Sequence, residues 1–123
     1  MYMTNIPLQV HIGEGLEVAC ERFIAAWERA EKGIIAPERH LGFESYEGFA
    51  KIATPRRIEL MKALRQSGPL SVRALSVLLK RDYKSVHGDV AKLLDSGLVD
   101  RAESGLVEVT WDEVTAKINL LAA

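Results

Sequence analysis

Cysteine is almost absent from this sequence: Cys20 is the single one among 123 residues. One cysteine excludes a disulfide within the chain, and no Cys/His spacing of the kind that binds zinc accompanies it. Cys20 falls on the same helical stripe as Phe23 and Trp27. We therefore expect Cys20 to be a small buried apolar residue, since free cysteine is among the most often buried residue types.

Long hydrophobic runs are also missing. No apolar stretch approaches the roughly 20 residues of a membrane-spanning helix, because charged residues interrupt even the apolar segment that begins at Leu16. The start of the sequence lacks the basic segment and apolar run of a secretory signal. These absences predict a cytoplasmic protein with no membrane partner.

The sequence offers no recognisable catalytic arrangement. There is no Ser/His/acid constellation with supporting context and no glycine-rich phosphate loop. His11 and His40 are far in sequence from His87, so the histidines do not have the spacing of a metal site. We expect no enzymatic activity, no cofactor and no metal.

What the sequence does contain is a segregated charge. The formal net charge at pH 7 is −1, but residues 54–101 carry ten basic against five acidic residues. The residues on either side of that segment are net acidic. Because binding to phosphate needs local positive potential and not a basic whole protein, residues 54–101 are the candidate nucleic-acid-binding segment.

The N-terminal part predicts a strand-helix arm. Residues 6–12 alternate as a strand, and residues 16–32 have the apolar spacing of an amphipathic helix, with Gly33 as its C-cap. An extended segment over 39–43 and a short helix over 46–52 follow. The helix has a wide apolar stripe, which consists of Leu16, Cys20, Phe23, Trp27 and Ala30.

This apolar stripe predicts association. A small C-terminal domain has little core left to cover it, and an uncovered patch of that kind drives protein contacts. We expect a homodimer built largely from residues 6–32, with Leu16, Cys20, Phe23 and Trp27 in the interface. Two alternatives remain: the arm folds back on its own C-terminal domain, or it binds a partner protein.

Three helices and a hairpin are predicted after the arm. Thr54 before Pro55, then Ser71 and then Asp82 are N-cap signals for successive helices. Strands over 98–102 and 106–110 flank a turn that contains Gly105. The expected inner positions of the first two helices are Ile58, Met61, the Lys62 stem and Leu64, then Val72, Leu75, Leu78 and Leu79.

This order of elements is typical of a winged helix-turn-helix. The predicted fold class is α+β, mainly α, with the strand-helix arm at 1–44, the winged helix at 45–110 and a tail at 111–123. The pattern leaves the tail after Trp111 open between a short helix and a strand.

The third helix has the character of a DNA-reading helix. Its inner stripe is Val86, Val90, Leu93 and Leu94, whereas its first two turns carry polar or small residues on the other face. Such a helix suits insertion into the major groove of double-stranded DNA. The candidate base-reading residues are Tyr83, Lys84, Ser85, His87 and Gly88, with Tyr83 equally able to pack against the preceding helix.

Phosphate contacts are expected from basic residues around that helix, because such contacts set affinity and register. The candidates are Arg56, Arg57, Arg73, Lys80, Arg81, Lys92 and Arg101.

A family resemblance rests on the pattern RDYKxVHxDV at residues 81–90, preceded by FESYEGFAKI at 43–52 and WERAEKG at 27–33. The chain from Trp27 to Val114 resembles the MarR-like predicted transcriptional regulators, antitoxin-like winged-helix proteins of bacteria and archaea. The resemblance implies a DNA-binding regulator, in some cases encoded beside a toxin that it neutralises. Many such proteins have arginine where this chain has Gly88, so the chain lacks one cation on the predicted reading helix.

Two functions are therefore weighed. The first is a sequence-specific, dimeric transcriptional regulator, an autorepressor and possible antitoxin of a toxin-antitoxin pair. The second is a winged helix that binds and neutralises a partner protein with weak or no DNA binding, since a fold does not settle a function.

Overall fold

A computed structural model describes residues 7–33 and 39–121 of the chain, which is a mixed α+β protein. The described residues form two compact units: one holds those up to Gly48 together with those from Asp112 on, and the other is Phe49–Trp111. The helices are α1 (Leu16–Glu31), α2 (Tyr46–Ile52), α3 (Pro55–Ser67), α4 (Val72–Leu79) and α5 (Tyr83–Ser96). The strands are β1 (Pro7–Ile12), β2 (Arg39–Phe43), β3 (Asp100–Arg101), β4 (Val107–Glu108) and β5 (Glu113–Ile118).

The first unit is built on a parallel sheet in the order β2-β1-β5. Parallel neighbours need a crossover connection, and α1 lies in the connection between β1 and β2. The central strand carries the core of this unit, since Leu8 and Val10 are fully buried and Ile12 nearly so. The predicted strand, helix and extended segment of the arm are present, and Ile6, the first residue of the predicted strand, lies outside the described residues.

The tail enters this sheet. The sequence pattern left the segment after Trp111 undecided, and the structure forms β5 there, with Val10 of β1 opposite Ala116. Trp111 itself is buried in the second unit. Whether the segment after Trp111 forms a strand or a helix depends on its pairing with β1, which is about 100 residues earlier in the chain, and not on a local signal.

Helix α1 has one half-buried side and one exposed side. Ala19, Ala25 and Ala26 are half-buried, and none of the residues of α1 is fully buried. The larger apolar side chains of the stripe lie outside, and Cys20 is exposed with them. The prediction that Cys20 is buried is wrong, because the half-buried side of α1, which also includes Arg22 and Arg29, is not the side that carries Cys20 and the two aromatic residues.

Helices α3, α4 and α5 begin at the predicted caps. The Thr54 hydroxyl accepts the N–H of Arg57 at 3.4 Å. The Ser71 hydroxyl accepts the N–H of Ala74 at 3.0 Å. These bonds satisfy N–H groups that the first helical turn leaves without a partner.

The core of the second unit joins one face of each helix to the hairpin segment. Three predicted core positions are wrong: Ile58 is 42% exposed, Leu78 is 51% exposed, and the Lys62 side chain is 64% exposed. Each lies a third of a turn or more from the centre of the face that its helix buries. The buried apolar residues are Leu60, Met61, Leu64, Leu75, Val86, Val90, Leu93, Leu98, Val99, Val107, Val109 and Trp111.

The hairpin is shorter than predicted, because regular pairing is limited to β3 and β4. Gly105 in its turn has a φ of 90°, a left-handed conformation that glycine adopts without strain. Leu70, before α4, forms an antiparallel bridge to Val107, with N–H to O distances of 3.0 and 2.9 Å. Among the residues described, none of the helices is long and apolar enough to cross a membrane.

Candidate nucleic-acid interface

A tight corner joins α4 to α5. Lys80 has a φ of 56°, in the left-handed region, and the N–H of Arg81 donates to the carbonyl of Ser76 at 3.1 Å. Asp82 then caps α5, since its carboxylate accepts the N–H of Ser85 at 2.9 Å. The corner thereby fixes where α5 starts and which way its first turn points.

Helix α5 has two distinct faces. Val86, Val90 and Leu93 are buried, as predicted, and Leu94 is half-buried. The outer face exposes four of the five candidate base-reading residues, and Ser85 is half-buried. The exposed residues are Tyr83, Lys84, His87 and Gly88.

A stack of three side chains occupies the start of the outer face. The guanidinium of Arg73, on α4, lies 4.9 Å from the ring centroid of Tyr83. The ring centroid of His87 lies 5.7 Å from that of Tyr83. Tyr83 thus contacts the preceding helix through a cation–π interaction and remains 42% exposed. The structure brings together one predicted phosphate ligand and two predicted base readers.

Gly88 lies in open space on this face. A Cβ atom built at Gly88 meets no atom within 4 Å. A larger side chain at this position would therefore extend into solvent without displacing any described atom.

Two of the predicted phosphate ligands are engaged inside the protein. Arg57 donates to Asp89 Oδ1 at 3.1 Å, and Arg81 donates to Asp89 Oδ2 at 2.6 Å. Arg57 also donates to the carbonyls of Lys51 and Ile52 at the end of α2. Because their side chains are 12% and 17% exposed, Arg57 and Arg81 do not present free guanidinium groups, which argues against the predicted phosphate contacts of both.

The same network restrains Ser85 and Asp89. The Ser85 hydroxyl accepts from Arg81 at 3.0 Å, so it is committed to the corner as well as lying half-buried. Burial on its own raises the pKa of Asp89, but hydrogen bonds from Arg81 and then Arg57, together with their charges, outweigh it and lower that pKa. Asp89 is therefore a carboxylate that ties the start of α3 to the middle of α5.

The other predicted phosphate ligands are exposed. Arg73 belongs to the stack on Tyr83, and Arg101 donates to the Gly105 carbonyl across the hairpin turn at 2.8 Å. The remaining three lie on three different segments of the second unit. They are Arg56, Lys80 and Lys92.

The residues predicted to form a dimer interface are exposed on α1. Leu16 is 81% exposed, Phe23 67% and Trp27 61%. The rings of Phe23 and Trp27 contact each other, with centroids 6.5 Å apart. We call the surface formed by Leu16, Cys20, Phe23 and Trp27 the α1 apolar face.

Sequence reasoning missed the role of Asp89. A signal was present, because Arg81, Ser85 and Asp89 follow each other at intervals of four, which places them along one side of a helix. No such signal predicts the contact of Arg57 with Asp89, because the two residues are 32 positions apart in sequence.

Comparison with known proteins places the chain in a family. The model of the family HVO_A0114 matches residues 52–116, which is more than half of the chain. The chain belongs to the HVO_A0114 family. No curated protein and no solved structure matches it.

The HVO_A0114 match covers the whole candidate interface. It starts at the end of α2 and includes the α4–α5 corner, the outer face of α5, the β3–β4 hairpin and the first part of β5. The name of the HVO_A0114 family states no activity or partner.

Proposed function

We propose that this protein is a cytoplasmic, sequence-specific DNA-binding transcriptional regulator of the MarR-like, winged-helix kind. The order of α3, the Leu70 bridge, α4, α5 and the β3–β4 hairpin is that of a winged helix-turn-helix. In this proposal α5 reads the major groove and the hairpin is the wing.

The observation that carries the proposal is the two-sided character of α5. Its inner side is buried apolar core, and its outer side exposes Lys84, His87 and Tyr83 beside Arg73. Lysine can donate to guanine O6 or N7, and histidine can bond a purine edge, whereas the core needs neither of them. Lys84 and His87 are the proposed base readers, and Gly88 permits a close approach of the DNA.

Affinity would come from the exposed cations. Arg73 is held over Tyr83, so part of the entropy of ordering its side chain is already lost before DNA binds. The other proposed phosphate ligands are Arg56, Lys80, Lys92 and Arg101. Such contacts add affinity without sequence information and make binding depend on salt.

We propose that the regulator acts as a homodimer and represses its own gene. A two-fold dimer presents two reading helices to successive major grooves of a palindromic operator. The α1 apolar face supplies the association surface, since an exposed phenylalanine and tryptophan in contact are typical of interface cores.

The same face favours a second candidate function. If the α1 apolar face binds another protein, the chain is a partner-neutralising module, such as the antitoxin of a toxin-antitoxin pair. In that case DNA binding through α5 is secondary or absent.

Gel-shift titration on the DNA upstream of the chain's own gene separates the two candidates. The regulator predicts a shift at low salt that weakens steeply as salt rises, and that exceeds the shift on scrambled DNA of equal length. Equal binding to the upstream and the scrambled DNA would contradict sequence-specific binding. No shift at low salt would favour the partner-binding function.

A further inference from the structure

Strand β5 is an unusual edge of the first unit. It pairs with β1 on one side and is the last strand of the sheet on the other, and all six of its residues are exposed. Parallel sheets are normally covered on both faces, and an open edge offers N–H and C=O groups to another strand. Within 7–33 and 39–121, no second strand covers this edge.

The sequence of β5 is complementary to itself. Around Thr115 it reads Glu-Val-Thr-Ala-Lys, with Glu113 two residues before Thr115 and Lys117 two residues after it. In an antiparallel pair of two copies centred on Thr115, each Glu113 lies opposite Lys117 of the other copy. Val114 then lies opposite Ala116 on the other face of the sheet. Neither Glu113 nor Lys117 forms an ion pair with any residue that the structure describes.

We propose that β5 binds β5 of a second copy of this chain, antiparallel and centred on Thr115, so that two three-stranded sheets become one of six strands. Cross-strand pairs of opposite charge stabilise a sheet, and like charges opposite each other destabilise it. A two-fold axis through the Thr115 pair closes the assembly at a dimer and leaves no β5 edge free to recruit a third copy.

Other registers and the other edge lack this complementarity. Centring the pair on Ala116 places Lys117 opposite Thr115, and centring it on Val114 places Glu113 opposite Thr115, so both lose the ion pairs. At the opposite edge, β2 reads Arg-His-Leu-Gly-Phe and has no acidic residue to pair with its arginine. The charges of β5 therefore select one edge and one register.

This inference does not rest on DNA binding, because β5 and α5 belong to different units. It also does not require the α1 apolar face. Its failure can therefore be told apart from failure of the proposed function.

A charge-swap experiment tests the pairing. Glu113→Lys and Lys117→Glu, separately, each replace two attractive pairs by two repulsive pairs in the symmetric dimer. We expect each variant to weaken dimerisation roughly tenfold. An attractive and a repulsive cross-strand pair differ in association constant by about a factor of a few, and the symmetric dimer contains two such pairs. The double variant restores the pairs with reversed polarity and should return to near the wild-type constant in sedimentation equilibrium. Glu103→Lys, in the hairpin turn, is the matched control and should have no effect.

Cross-linking tests the register and does not depend on stability differences. In a Cys20→Ser background, Thr115→Cys places two thiols opposite each other, with Cα atoms about 4.5–5.5 Å apart, within the range that a disulfide spans. Ala116→Cys places them diagonally and should cross-link far less under the same oxidation. A monomeric wild type at high concentration, equal cross-linking of the two variants, or a double charge variant as weak as the single ones would overturn the proposal.

Discussion

Arg81, in the corner between α4 and α5, donates to Asp89 at 2.6 Å, two turns along α5. Arg57 holds the other oxygen of the same carboxylate from α3. The middle of α5, the helix that we propose to read DNA, is thus bound both to the α4–α5 corner and to α3. A reading helix needs a fixed orientation, because base contacts depend on placement to within a fraction of an ångström.

Asp89→Ala should destabilise the second unit. The substitution removes the carboxylate that both guanidinium groups share, and Asp89 is 15% exposed, so we expect a loss of about 1–3 kcal/mol in the free energy of unfolding. Urea denaturation measures the loss. Asp95→Ala, at an exposed position of α5, is the control and should change stability little. Equal stability of the two variants would mean that the hydrogen bonds of Asp89 do not stabilise the fold.

Gly88→Arg should strengthen DNA binding without disturbing the fold. The Cβ position is open, and arginine is a good helix former, close to alanine, which is about 0.8–1 kcal/mol better than glycine. If the new cation reaches a phosphate, the slope of log affinity against log salt steepens by about 0.9. Gly88→Ala is the control that improves helix propensity alone. A slope that is the same in both variants would place this face of α5 away from the DNA.

Phe23→Glu should weaken self-association. A carboxylate in the middle of the α1 apolar face would have to be buried on association, which is costly without a partner. Light scattering on the wild type and on Phe23→Glu measures the effect, with Glu21→Gln as an exposed control on the same helix. An unchanged dimer in Phe23→Glu would show that the α1 apolar face is not the homodimer interface. That result would favour binding of another protein to this face.

His11 is buried and lies at the centre of a chain of half-buried polar groups in the first unit. Its Nε2 lies 2.8 Å from His40 Nδ1, and its Nδ1 lies 3.1 Å from Glu14, which Arg22 contacts at 2.7 Å. The donor in the His11–His40 hydrogen bond is set by the tautomers of the two rings. Burial lowers the pKa of His11, and the charges of Arg22, His40 and Lys117 lower it further against the opposing effect of Glu14.

The lowered pKa predicts a loss of stability in mild acid. The unfolded state binds the proton more readily than the folded state does, so the contribution of His11 is full above pH 6.5, its ordinary pKa, and is lost as pH falls below it. Thermal unfolding between pH 8 and pH 5 measures the trend. His11→Gln, which cannot titrate, should show a flatter dependence. The same dependence in both proteins would assign the trend to other groups.

Local signals allowed most of the elements to be predicted. Thr54, Ser71 and Asp82 each cap the helix that the sequence assigned to them, because capping involves residues only three positions apart. Long-range relationships were not accessible in this way. The parallel pairing of β5 with β1 and the contact of Arg57 with Asp89 join residues far apart in sequence, and no local pattern encodes such partners.

The candidate site was predictable in part for the same reason. Helical spacing placed Lys84, His87 and Gly88 on the outer face of α5, where the structure also has them. Charge alone could not separate Arg73, which is exposed, from Arg81, which is engaged with Asp89. Whether an arginine is free depends on the tertiary position of a carboxylate.

The most direct test of the proposed function is the salt dependence of binding to duplex DNA, measured by fluorescence anisotropy for matched variants. Arg73→Ala should weaken binding to all sequences alike and reduce the salt slope by about one. Lys84→Ala should weaken binding to the upstream sequence by about 1–3 kcal/mol and narrow its advantage over scrambled DNA. Lys62→Ala, on α3 beside Glu59, is the control and should match the wild type. If wild-type protein binds neither DNA at low salt, or if all three variants behave alike, α5 is not a DNA-reading helix.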